Sequence, residues 1–353
     1  MINQKKAKKS LKKSADVLGP WKEELFEMVI DGLYDYRRKK MVHGFVDAHT
    51  HLCRAYTYHQ KYFPAGVNLN EIADSPLKAK QDLVGYLHEG EAYTQASLKE
   101  RMQRQVKRSI RLGTREVWAV VDTTEDIGLR AFDIGLELKE KFADKINLKI
   151  SSYPLFGFRD MDKHIGRYNV FSRAVSDCDF IVGLPEKDDY SDRIGFKRHC
   201  NILLRKAYKH KKQVHIHTDQ VNSAYQKDSF RVIECLESLS PKEFAWFTKP
   251  RKTPILCLVH LISPSCYSGE EFSKLALLLK KYNIGVICCP VAGVSMRQLR
   301  SEISPIHNSL TRVIELLNYG VQVRIGTDNI NDYLVQSGDG FVLSELFVLS
   351  NVV

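Results

Sequence analysis

No run of about twenty apolar residues occurs in the 353-residue chain, so a membrane-spanning helix is not expected. The opening stretch, MINQKKAKKSLKKSADVLGP, is basic, but no apolar segment follows it, so a secretory signal is not expected. Eight cysteines include no Cys-x-x-Cys pair, and Cys288-Cys289 lie within an apolar run. Buried, reduced thiols in a cytoplasmic protein are the expectation. The net charge of +11 comes without an RNA-recognition, helix-turn-helix or zinc-finger pattern. Lys5, Lys6, Lys8, Lys9, Lys12 and Lys13 cluster in the tail, and Arg37, Arg38, Lys39 and Lys40 form a second run. Elsewhere basic and acidic residues alternate, as on solvated helix faces, so nucleic acid is not the expected partner.

What is present is a regular alternation. With 44% apolar and 27% charged residues, the chain can bury a large core, and its length alone decides nothing about domain number. Residues 1–40 read as a basic tail with one extra helix at 21–36, and residues 41–353 as a single barrel domain. Apolar, β-branched runs recur at 44–49, 116–122, 146–153, 179–184, 213–217, 255–261, 284–289 and 321–326. Amphipathic stretches lie between them, among others 95–112, 128–143, 197–212, 226–239, 269–282 and 305–319. Strands apolar on both faces and alternating with helices imply a buried parallel sheet. Eight such units imply an α/β fold of the (β/α)8 TIM-barrel type. Residues 52–94, rich in aromatics, interrupt the rhythm after the first strand and read as an insert over the active-site face.

In such a barrel the C-terminal strand ends converge on one pocket. Strand 1 ends in His49 and His51, whose i, i+2 spacing puts both imidazoles on one face. Strand 5 carries His215, His217 and Gln220, strand 6 ends in His260, and strand 8 runs into Asp328 and Asn329. Three imidazoles and a carboxylate can hold a divalent metal, which lowers the pKa of water toward neutrality. His49, His51 and His217 are the expected nitrogen ligands. Asp328 would be both ligand and base, and His260 would stabilise charge at the attacked centre. Taken singly, each has a plainer reading: His260 as a core histidine, Asp328 as a turn or capping residue. His215 reads as core or as a neighbour of the ligands. His59 and His88 in the insert could reach substrate, while His199 reads as a surface or loop residue.

VDAHTH, the histidines on strands 5 and 6, and GTDN resemble the amidohydrolase superfamily, nearest to cytosine deaminases and N-isopropylammelide amidohydrolases. The resemblance covers roughly residues 42–345, with support from VDTTEDIGLRAF, IVGLPEKDD, CPVAGVSMRQL, PIHNSL and GTDNINDYL. It implies one Zn²⁺ or Fe²⁺ held by His49, His51, His217 and Asp328. It also implies a small nitrogen-containing substrate, a homo-oligomer, and Asn329 beside the substrate. Strand 4, DFIVGLP, holds no lysine for a bridged binuclear site, and Lys187 beyond it reads as an exposed loop residue.

Three departures shape the expected function. Where the deaminases carry a proton-shuttling glutamate, this chain has Gln220, which cannot titrate. That leaves Asp219, Asp328 or His260 to move the proton. Where cytosine deaminases place an amide, this chain has Leu155 followed by Phe156, so cytosine itself is not the expected substrate. The family's small β-sandwich is expected to be reduced or missing, with the chain reading as a fragment or a reduced member. The expected activity is therefore hydrolysis of non-peptide C–N bonds, deaminating or dealkylaminating a nitrogen heterocycle or cyclic amide. The alternative is a metal-binding relative, catalytically impaired, that acts as a binding protein.

Overall fold

The computed structural model describes residues 44–73, 75–295 and 310–352. The tail and helix expected within residues 1–40, and His43 and His307, lie outside them. Eight parallel strands follow in chain order: β1 Phe45–His51, β2 Thr114–Val120, β3 Asn147–Ser152, β4 Phe180–Gly183, β5 Gln213–Thr218, β6 Leu256–His260, β7 Gly285–Cys288 and β8 Val323–Ile325. Each pairs with its sequence neighbour. The first and last strand meet through backbone bonds. His51 N–H donates to the Asp328 carbonyl at 2.6 Å, and Asp328 N–H donates to that of His49 at 2.8 Å. The expected (β/α)8 barrel is the fold.

Every residue of β4, β5, β6 and β7 is buried, as strands sandwiched between a filled lumen and a helical coat must be. The coat consists of α1 Gln95–Arg111, α2 Arg130–Lys141, α3 Ile165–Asp177, α4 Phe196–His210, α5 Asp228–Glu237, α6 Gly269–Lys281, α7 Val313–Asn318 and α8 Val342–Val352. In α1, Leu98, Met102 and Val106 recur every four residues and form one buried stripe, and the Thr94 hydroxyl caps the Ser97 amide. A helix not foreseen, Pro241–Thr248, precedes β6. Its signal is present in the sequence: Ser240 and Glu243 form a capping box around a proline at the first helical position.

The segment after β1 folds into short helical turns that include Val84–Glu89 and Glu91–Tyr93. Its backbone bonds to the stretch after β8, from Tyr56 N–H to the Ile330 carbonyl at 2.8 Å and from Tyr58 N–H to that of Asn331 at 3.1 Å. Inside it Arg101 of α1 donates to the carbonyls of Cys53 and Ala55. All eight cysteines are buried. Among the described residues no helix is long and apolar enough to cross a membrane.

Candidate metal centre

Three strand ends place four side chains in one spot. The register of β1 against β2 shifts between Asp47 and Thr50, a bulge that still leaves both His49 and His51 buried. β5 contributes His217, which lies beside Val259 of β6. Asp328 follows β8 at φ 54° and His260 ends β6 at φ 77°, left-handed conformations rare for such residues. A side chain on Gly326 would strike the His49 backbone, with its Cβ 2.8 Å from the carbonyl oxygen, so glycine lets β8 close on β1. Asp47 fastens the same seam by accepting from the Thr327 amide at 3.0 Å and its hydroxyl at 2.6 Å.

One ligand atom from each of His49, His51, His217 and Asp328 lies within 4.8 Å of the other three. His49 Nε2 is 3.1 Å from His217 Nε2, His51 Nε2 is 3.2 Å from Asp328 Oδ1, and His49 Nε2 is 3.8 Å from Asp328 Oδ1. A tetrahedral ion with bonds of 2.0–2.1 Å holds its ligands about 3.3 Å apart, so these spacings fit one cation. The second nitrogen of His217 donates to the Gly183 carbonyl at 3.1 Å, which frees Nε2 to present a lone pair. Burial, reinforced by the neighbouring imidazoles, holds His49 and His217 well below the usual histidine range. Burial, with Arg54 next, brings His51 down to about 4. Burial would raise Asp328, but His260, His51 and His217 hold it below the carboxylate range. Neutral imidazoles beside a charged carboxylate are the forms a divalent metal requires.

His260 is buried with its ring 5.3 Å from that of His217, and its Nδ1 has no hydrogen-bond partner. His215 is core: it stacks on Trp118 and packs against Phe180. Gln220 is buried and its Nε2 makes no hydrogen bond. Asp219, one of three expected proton carriers, is spent elsewhere, accepting the backbone amides of Asp228 at 2.8 Å and Ser229 at 3.2 Å at the start of α5. Leu155 is buried and Phe156 half-buried, with the Phe156 ring 5.1 Å from that of His88. Asn329 gives its amide nitrogen to Asp332 at 2.6 Å.

No protein-family model matches the chain. Its structure is similar to that of 5-methylcytosine deaminase from Klebsiella pneumoniae, with a TM-score of 0.72 and 22% identity over 88% of this chain and 68% of that one. N-isopropylammelide isopropylaminohydrolase from Burkholderia multivorans gives 0.64 and 16% over 87% and 68%. Adenine deaminase from Arthrobacter aurescens gives 0.56 and 12% over 87% of both chains. The barrel is theirs. An uncharacterized Haemophilus influenzae protein is 26% identical over 277 residues, 78% of this chain and 90% of that protein.

Several residues at this barrel mouth escaped the sequence reading. Tyr153, just past β3, lies against the rings of His51 and His217 at 5.6 and 5.4 Å. Its position at an expected strand end was a usable signal. Arg54 is buried beside the site. Burial opposes its charge, but Asp122, Tyr333 and Asp332 raise its pKa. His199 is a correction: far from the surface, it is buried on α4 and bonded through Nδ1 to Asp188 at 2.6 Å. Asp188 also accepts the amides of Phe158 and Arg159, so this pair fixes the loop after β3. Lys187 is half-buried rather than exposed, and burial lowers its pKa.

Proposed function

We propose that this protein is a metal-dependent hydrolase of non-peptide C–N bonds, which deaminates or dealkylaminates a nitrogen heterocycle or cyclic amide. The observation that carries the reading is the convergence of three imidazole nitrogens and one carboxylate oxygen within 4.8 Å, buried at the strand ends of a barrel. Solved structures of the same fold include two deaminases and an isopropylaminohydrolase.

His49, His51, His217 and Asp328 would hold one Zn²⁺ or Fe²⁺. When bound, such a cation acidifies a water so that a nucleophile forms near neutral pH. Asp328 receives the proton that the water gives up. His260, kept neutral by burial, donates a hydrogen bond to the oxygen that gains charge as the trigonal carbon becomes tetrahedral. Leu155, Phe156 and Tyr153 shape an apolar wall that excludes water, and Gln220 and Asn329 supply hydrogen bonds to the ring. A wall led by Leu155 leaves the polar edge of cytosine unpaired, so substrates with alkyl or fewer polar ring substituents fit better.

Elemental analysis beside a substrate screen tests this. The purified protein should carry about one equivalent of zinc or iron, and should release ammonia or an alkylamine from cyclic amides, amidines or aminotriazines. Chelation should abolish the release. Metal bound without turnover on the panel would instead favour a binding protein.

A further inference from the structure

The hydrolysis proposed above needs a group that delivers a proton to the departing nitrogen near neutral pH. Asp328, as a ligand, yields proton affinity to the cation, and Gln220 cannot titrate. Glu186 lies in the turn Pro185–Asp188 after β4, three residues past the Gly183 carbonyl that orients His217. It is half-buried, and its Oε2 accepts from Gln226 Nε2 at 3.3 Å. The amide of Gln220 lies near enough to favour its charged form, although Gln220 Nε2 closes no hydrogen bond of good geometry. Its charge is also felt by Tyr153, whose ring packs on His51 and His217. Glu186 thus stands in the turn that follows the carbonyl holding His217.

Burial, then the charge of Asp228, pushes the Glu186 carboxyl up to about 7. Lys187 and Gln220 pull it down, and Asp189 adds to the rise. Arg231 neutralises part of that acidic group by binding Asp189 at 2.6 Å and Asp228 at 3.3 Å. Two other carboxyls that burial raises are committed to the backbone. Asp47 accepts the Thr327 and His49 amides, and Asp332 those of Leu334 and Val335. Among the described residues Glu186 accepts from the Gln226 side chain and from no backbone amide.

We propose that Glu186 is the acid–base carboxyl of this site, held by Gln226 in the turn at the end of β4. The assignment rests on the hydrolase reading. Protonated Glu186 gives its proton to the departing nitrogen as the C–O bond from water forms and the C–N bond breaks. The proton lost by water passes through Asp328 to the Glu186 carboxylate, so one water is consumed and one amine leaves.

The test uses the full chain loaded with zinc and a substrate the wild type hydrolyses. Glu186→Gln should lower kcat about a hundredfold or more at unchanged metal content, and should remove the limb of the pH–rate profile near neutrality. The exchange Glu186→Gln with Gln220→Glu should restore a titrating limb. Independently of turnover, infrared titration of metal-free protein should show a carboxyl band near neutral pH that Glu186→Gln deletes. Wild-type kcat and pH profile in Glu186→Gln, or an infrared band unmoved by it, would overturn the assignment while leaving the hydrolase reading intact. A wild type that binds zinc yet hydrolyses nothing on the panel would sink the hydrolase reading, and this assignment with it.

Discussion

Two clusters of histidine and carboxylate sit at one barrel mouth and spend their polar atoms in opposite ways. Around His88 both ring nitrogens are taken: Nδ1 pairs with Asp126 at 2.7 Å and Nε2 with Asp122 at 3.3 Å, and the Tyr93 hydroxyl also donates to Asp122. Around His49 and His51 the Nδ1 atoms have no partner, and the Nε2 atoms converge with His217 and Asp328 instead. Burial would lower all these histidines, yet Asp122 and Asp126 raise His88 while His49, His51 and His217 stay depressed. A satisfied network rigidifies the fold, whereas converging unpaired donors fit a cation. The difference separates a structural histidine cluster from a candidate centre without reference to any relative.

The largest expected effect falls on the second cluster. Asp328→Ala should cut activity about a thousandfold or more and lower metal occupancy, because ligand and base go together. An active, metal-replete variant would break the distinction. Stripping the wild type with chelator should reduce unfolding stability by about 4 kcal/mol relative to protein held at a thousandfold excess over Kd. Calorimetry with and without zinc measures this, and equal Tm values would argue against a metal centre.

The first cluster should answer in stability and not in metal content. His88→Gln should cost about 3 kcal/mol in urea unfolding, since it removes one charged partner of the buried Asp122. Its metal stoichiometry should match wild type; a lost metal would merge the two clusters. The pH dependence sharpens the same point. Because His88 is raised on folding, its contribution is complete below the ordinary histidine pKa of about 6.5 and fades as pH climbs through the raised value. Burial opposes the charge of Asp122, but His88 and Arg54 depress its pKa, so its contribution is complete above about 3.9 and fades as pH falls through the folded value. The cluster should be strongest between those limits, and His88→Gln should flatten the decline on the alkaline side. Asp126→Asn should matter least, about 1 kcal/mol or below, because Asp126 is partly solvated and Asp122 still holds the ring.

The barrel and its strand-end histidines were legible because both follow from local periodicity. Period-two alternation puts His49 and His51 on one side of β1, and eight strand–helix units put all strand ends on one face. Boundaries shifted by a few residues, as at β8, which is shorter than its apolar run. His199 escaped because its partner Asp188 stands on a different turn, and a helical histidine beside lysine and arginine looks solvated in the sequence.

By itself, then, the sequence determined the architecture and the set of side chains that reach the mouth of the barrel, since hydrophobic period and strand polarity are properties of short stretches. Only the tertiary structure decided which of those side chains meet. Whether His88 is gripped by Asp122 and Asp126, or Glu186 is held by Gln226, depends on barrel closure and on how the segments after the strands pack. Those contacts join residues thirty-four to forty positions apart, and no local pattern encodes a distance that the fold itself creates.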